Sequence, residues 1–150
     1  MARKSESSEE IQKNCIFCLI AHDLDKETEV IKKNEELVCF RDISPAAPHH
    51  YLVVPKQHIH SCHSLHWGHI GLGQLQGITT KYWLGFHQPP YTSVDHLHLH
   101  VLAPTSQISH YVAYKFIPRT FRFVTDECVL KHLKDKAPAA KNLESCMLFQ

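Results

Sequence analysis

The sequence predicts one soluble domain of mixed α and β structure, and three observations carry that expectation. The chain has 150 residues, 43% of them hydrophobic and 21% charged, which is the balance of a globular domain rather than of a disordered or membrane chain. Short runs rich in β-branched and aromatic residues, "TEVIK", "LVCFR", "YLVV" and "YWLGF", are separated by polar or proline-containing stretches, as the strands of a sheet are. Near the C-terminal end, "TDECVLKHLKDK" carries the signals of a capped helix.

Taken in order, residues 1–13 are polar and charged and read as a disordered leader, 14–135 as the folded domain and 136–150 as a flexible tail. "CIFCLIAHD" supplies an apolar helical turn. Strands are expected around Thr28–Lys32 and Leu37–Arg41, joined across "KKNEE" as a hairpin. The prolines of "SPAAPHH" end the second, and Tyr51–Val54 forms a buried strand closed by Pro55. Four glycines between His60 and Lys81 allow only a short helix there, since each costs a helix interior roughly 1 kcal/mol relative to alanine. Strands then follow at Tyr82–Phe86 and Val94–Leu102, with Pro104 beyond the second. A short extended piece near Phe121–Val124 leads into the C-terminal helix, with Thr125 as its cap, Asp126 and Glu127 in its first turn and Lys131, His132 and Lys134 toward its end.

Sixteen Lys and Arg oppose fifteen Asp and Glu, a net charge of +1, so no general electrostatic grip on nucleic acid is expected. No run approaches the roughly 18 apolar residues of a membrane span, and "MARKSESSEE" lacks the apolar region of a secretory signal, which predicts a soluble intracellular protein. In that setting the six cysteines read as thiols or metal ligands rather than disulfides.

Most of the fourteen histidines lie between His49 and His110. In "VDHLHLHVLAP", His96, His98 and His100 alternate with Leu97, Leu99 and Val101. On a strand the imidazoles share one face about 6 to 7 Å apart, with the aliphatics on the other. A solvated face would account for one such histidine but not for three in register. Two chemistries remain open on the residues alone: zinc bound through His-x-His with a further ligand, or a neutral imidazole attacking phosphorus. Thr92 and Ser93 just upstream, together with the pair His49 and His50, favour the phosphate. Cys15-x-x-Cys18 allows buried thiols, a redox pair or half of a zinc site. Asp42 by itself reads as the aspartate that starts a turn before Ser44-Pro45. His60, His63, His66 and His69 recur every three residues and read as surface histidines.

"HLHLHVL" and "FRDISPAAPHHYLVVPKQHI", in their order along the chain, resemble the two blocks that mark the histidine triad superfamily of nucleotide hydrolases and transferases. "CIFC" and "GFHQPPYTSVDHLHLHVLAP" are similar to the branch of it related to aprataxin. The resemblance covers roughly residues 14–135 and implies an α+β fold, a five-stranded antiparallel sheet with flanking helices. It implies hydrolysis of adenosine 5'-monophosphoramidates and aminoacyl-adenylates to AMP, in the cytoplasm and also the nucleus. Carried over by position, His98 is the nucleophile that becomes adenylylated, His100 and His50 orient and polarise, and His96 and Ser93 meet the phosphate or leaving group. Asp42 accepts the ribose hydroxyls, and Phe40 and Ile43 contact the adenosine. Catalysis needs no cofactor. In relatives with the same two cysteines, the residues matching Cys15, Cys18, His58 and His96 hold a structural zinc.

One departure stands out. The segment His60–Lys81 is shorter than the family's central helix by about three to four turns and is interrupted by Gly68, Gly71, Gly73 and Gly77, which predicts a weakened homodimer and a less covered sheet. Two competing readings follow: a catalytically weak AMP-binding or scaffold relative, and a histidine-rich protein in which His96 to His100 hold zinc.

Overall fold

The strand expectations are met by β1 (Val30–Lys33), β2 (Leu37–Arg41), β3 (His49–Pro55), β4 (Trp83–His87), β5 (Leu99–Ala103) and β6 (Phe123–Thr125), with helices α1 (Ile16–Ala21) and α2 (Asp126–Asp135). These come from a computed structural model that describes residues 11–66, 68 and 82–136. The strands form one antiparallel sheet in the order β1-β2-β3-β5-β4-β6. The family resemblance implied five strands. The sixth is the short extended piece before the C-terminal helix, which pairs with β4 through Phe86 and Val124. Residues 1–10 of the expected leader 1–13, most of the glycine-rich segment with its bearing on a dimer, and residues 137–150 of the expected tail lie outside the described residues. Ile11, expected in the leader, is half-buried against the core beside α1.

Local chemistry explains where the elements begin and end. Asp25 Oδ2 accepts the Thr28 N–H at 2.9 Å, a turn that delays β1 to Val30. Asn34 Oδ1 accepts from the N–H groups of Glu36 and Leu37 at 2.9 and 2.7 Å and so closes the β1–β2 hairpin. Thr125 caps α2 by accepting the Cys128 N–H at 3.3 Å, with Asp126 and Glu127 at the positive end of the helix dipole and His132 and Lys134 at the negative end.

The expected strand over Val94–Leu102 begins only at Leu99. Its partner β3 ends at Pro55, which has no N–H to continue the ladder, and the last paired residues are Val53 and Leu99. Upstream of that point the Leu97 N–H turns away to the carbonyl of Ile59, at 2.6 Å. His96 and His98 therefore precede the strand and only His100 lies on it.

Register assigns the two faces. Leu52 pairs with His100 and His50 with Leu102, so these four share a face with Val38, Phe40 and Val54. Phe17 of α1 covers this face at one end, packing on Phe40 at 5.5 Å, and Phe116 covers it at the other, 5.5 Å from the rings of both His50 and His100. The histidine face is thus buried rather than open to water. The opposite face carries Phe86 and Val124, on which Val129 and Leu133 of α2 pack together with Leu97. Further along that face, Ile31, Leu37, Cys39, Tyr51 and Val53 line an open groove of about 610 Å³.

Candidate active site

His50 stands on the buried face of β3 and is 1% exposed. Its Nδ1 accepts the backbone N–H of Ala46 at 2.9 Å, which leaves the ring hydrogen on Nε2. Nε2 lies 2.9 Å from His100 Nδ1 and donates to it. His100 then carries its own hydrogen on Nε2, a buried donor with no partner among the described residues. One backbone amide thereby fixes two imidazole tautomers in series and leaves an N–H poised for an acceptor that the described residues do not supply.

His98 is fixed differently. Its Nδ1–H donates to the backbone carbonyl of His96 at 2.6 Å, so the free nitrogen is Nε2 with its lone pair. The Phe17 ring meets it edge-on at 5.1 Å, and the His100 ring lies 4.9 Å away. Burial pushes the pKa values of His50, His98 and His100 below the ordinary histidine value, that of His100 well below, and keeps all three neutral near pH 7. A neutral imidazole with a free lone pair beside an unpaired N–H donor is what nucleophilic attack at a phosphate requires.

Asp42 combines both of its readings. Its Oδ1 accepts the Ser44 N–H at 2.7 Å, the turn its sequence context suggests, while Oδ2 lies 3.4 Å from His50 Nε2 and 3.9 Å from His100 Nδ1. Ile43 next to it is 98% exposed, an apolar side chain held in solvent beside Asp42. Phe40 is buried among Phe17, Leu52 and Val54 and belongs to the core.

His96 is separated from the other two by the direction of its ring. Nε2–H donates to the Pro55 carbonyl at 2.8 Å, and Nδ1 faces the sulfurs of Cys15 and Cys18, each at 3.4 Å. His58 Nδ1 lies 3.2 Å from Cys18 Sγ, and its buried Nε2 has no partner among the described residues. One donor atom from each of Cys15, Cys18, His58 and His96 lies within 4.8 Å of the rest. With Zn–S near 2.3 Å and Zn–N near 2.0–2.1 Å, neighbouring sulfur and nitrogen corners of a zinc tetrahedron stand roughly 3.5 Å apart. The donor set and its spacing fit zinc. Burial, and then the hydrogen bond with Cys15, push the Cys18 thiol up to about 11, a cost that metal coordination removes by taking the thiolate. The expectation that His96 to His100 share one metal is corrected: His96 groups with Cys15, Cys18 and His58, apart from His98 and His100.

Ser93 is exposed and lines a cleft of about 440 Å³ with Cys15, Ile16, His58, Val94 and Asp95, on the cysteine side of His96. His60, His63 and His66 are exposed, and His63 Nε2 bonds Gln88 Oε1 at 2.9 Å; His69 lies outside the described residues. His87 escaped the sequence reading. It ends β4, its ring 4.5 Å from that of His100 and packed on Phe116 and Phe123. The available signal was its place two residues after Gly85, on the face Gly85 shares with its cross-strand partner His100.

A family model described as "Scavenger mRNA decapping enzyme C-term binding" matches residues 14–115. The chain is 46% identical over 132 residues to Adenosine 5'-monophosphoramidase HINT3 of Danio rerio, covering 79% of this chain and 81% of that one. It is 39% identical over 135 residues to the Mus musculus protein of the same name, covering 81% and 82%. Among solved structures it is similar to a histidine triad protein from Clostridium difficile, with TM-score 0.51, 28% identity and coverage of 61% of this chain and 91% of that one. A HIT family hydrolase from Legionella pneumophila Philadelphia 1 gives TM-score 0.51, 31% identity and coverage of 60% and 92%. The chain belongs to the histidine triad family.

Proposed function

We propose that this protein hydrolyses adenosine 5'-monophosphoramidates, and aminoacyl-adenylates in the same site, to AMP through an adenylyl intermediate on His98. The observation that carries the reading is the fixed tautomer pair: a free Nε2 lone pair on His98 beside an unpartnered Nε2–H on His100. The curated relatives named as adenosine 5'-monophosphoramidases support the substrate class.

In the first half-reaction His98 Nε2 attacks the α-phosphorus, the P–N or P–O bond breaks with its electron pair going to the leaving group, an amine departing with a proton taken from solvent water, and His100 Nε2–H holds a phosphate oxygen as negative charge gathers on it. His50 keeps the donor on the correct nitrogen of His100. In the second half-reaction water attacks the same phosphorus and AMP departs. Asp42 has lone pairs left to accept the ribose hydroxyls, Ile43 offers apolar surface to the base, and Ser93 hydrogen-bonds the leaving group from the cleft wall. Cys15, Cys18, His58 and His96 would hold a structural zinc, which would tie two thiolates and two imidazoles into one rigid corner beside the reacting histidines.

The test follows amine release from adenosine 5'-phosphoramidate by wild type and by His98→Ala, with intact mass of a rapidly quenched sample. Wild-type turnover, an AMP adduct on wild type alone and a loss of at least about a thousandfold in the variant support the reading. Equal rates from the two proteins, or AMP binding by a folded wild type that releases no amine, would point instead to a binding relative without turnover.

A further inference from the structure

Three imidazole nitrogens converge where the proposed reaction takes place. One each from His87, His98 and His100 lie within 4.8 Å of one another. His87 reaches the site because Gly85, opposite His100 on β5, has no side chain; a Cβ there would stand 2.5 Å from the Phe123 ring. Phe123 and Phe116 pack on the His87 ring in the space this leaves.

The protein's own hydrogen bonds give the three rings different chemistry. His98 keeps a lone pair on Nε2 and His100 keeps a hydrogen on Nε2. His87 donates Nε2–H to the Lys115 carbonyl at 3.0 Å, so its Nδ1 keeps a lone pair, and among the described residues that nitrogen has no hydrogen-bond partner. Burial lowers the pKa of His87 to about 4, which keeps the ring neutral. A second lone pair has no use for a phosphate oxygen, which would repel it. The departing amine has none for it either, since amine expulsion calls for a proton donor. Water attacking the adenylyl phosphorus does need an acceptor.

We propose that His87 is a catalytic base of the second half-reaction, taking a proton from the water that cleaves the adenylyl–His98 bond. Two hydrogen bonds of about 2.8 Å meeting at one oxygen span between 4 and 5 Å or so, and a nitrogen of His87 lies within 4.8 Å of one on His98 and one on His100, so His87 is within reach, through one water, of a phosphoryl group carried on His98. The water oxygen bonds to phosphorus on the side opposite His98 Nε2 as the P–Nε2 bond breaks, and the electron pair of that bond returns to His98 Nε2. The proton of the water passes to His87 Nδ1, AMP leaves with the new oxygen, and His87 then releases its proton to solvent. The inference rests on the adenylylation of His98 proposed above.

Two variants test it. His87→Gln keeps an N–H for the Lys115 carbonyl but places no acceptor at the Nδ1 position, and His87→Phe keeps the packing on Phe116 and Phe123. With adenosine 5'-phosphoramidate in rapid-quench experiments, both are expected to keep the initial burst of about one amine per chain. Steady turnover should then fall by about 10²–10⁴-fold, and the AMP adduct should accumulate on the protein, with His98→Ala as the adduct-free control. Variants that turn over at the wild-type rate without accumulating adduct overturn the inference, as do folded variants that lose the burst. Wild type that releases no amine overturns both this inference and the activity on which it rests; an active wild type beside an equally active His87→Gln overturns this one alone.

Discussion

The backbone carbonyl of His96 accepts the Nδ1–H of His98 at 2.6 Å, while the side chain of His96 faces Cys15 and Cys18. One residue therefore belongs to two sites. Its ring is part of the cysteine corner, and its peptide group selects the tautomer of the proposed nucleophile. Whatever fixes the His96 ring fixes the orientation of His98.

From this relationship, purified protein is expected to carry about one zinc per chain. Cys18→Ser should lose it and lower the melting temperature by several degrees. The same variant should slow adenylation of His98 although it touches no substrate. Elemental analysis, a melting curve and the size of the burst check the three parts separately. A metal-free wild type with an unchanged melting temperature would refute the zinc assignment.

Replacing His50 removes the donor that assigns the hydrogen of His100 and leaves the Ala46 N–H without its partner. His50→Ala should lower kcat by about 10²–10⁴-fold with a smaller change in KM, because the affected hydrogen bond strengthens as charge develops. Steady-state kinetics on adenosine 5'-phosphoramidate decides, and a change confined to KM would contradict the relay.

Asp42→Asn keeps the oxygen that accepts the Ser44 N–H at 2.7 Å and removes the charge. The turn should survive and the melting temperature should hold. KM should rise about tenfold for an adenosine substrate but not for its 2',3'-dideoxy analogue, because only the former offers ribose hydroxyls. Equal effects on the two substrates would place the ribose elsewhere.

Gly85→Ala should destabilise the fold by about 1–3 kcal/mol, since the new methyl meets the Phe123 ring and the Val124 carbonyl on the neighbouring strand. Urea unfolding measures it. A neutral result would show that β4 and β6 can separate without cost.

Acid should unfold the protein earlier than its carboxylates alone require. Between the ordinary histidine value of 6.5 and the value of about 4 that burial gives His87, the unfolded chain binds a proton that the folded one refuses. Stability is therefore complete above pH 6.5 and falls as the pH drops toward 4, with His50 and His98 acting in the same direction. The urea midpoint followed from pH 7.5 to pH 4 should show this loss, and His87→Phe should make it shallower. An identical slope in the variant would remove His87 from the account.

The sequence by itself determined the strands β2 and β3, the Thr125 cap and the span of α2, because these depend on local chemistry: alternation of apolar residues, a hydroxyl before a helix, prolines that end a ladder. The spacing in "HLHLH" and the pairing of that block with "FRDISPAAPHH" also singled out His50, His98 and His100, whose rings the fold brings side by side. The sequence could not decide which way each imidazole points. His96 and His98 alternate like strand residues, but β3 stops pairing at Val53, so both leave the strand and their rings serve different neighbours. Whether Asp42 is a turn residue or a site residue has no answer in its flanks, because its two oxygens do one task each. His87 acquires its place only from cross-strand register and from the space opposite Gly85, and both depend on residues far apart in the chain. Tautomers, too, were a tertiary decision. A proton sits on Nδ1 or on Nε2 according to whether a carbonyl or an amide lies in the ring plane, and only the folded chain brings the His96 carbonyl, the Ala46 amide and the Lys115 carbonyl to those rings.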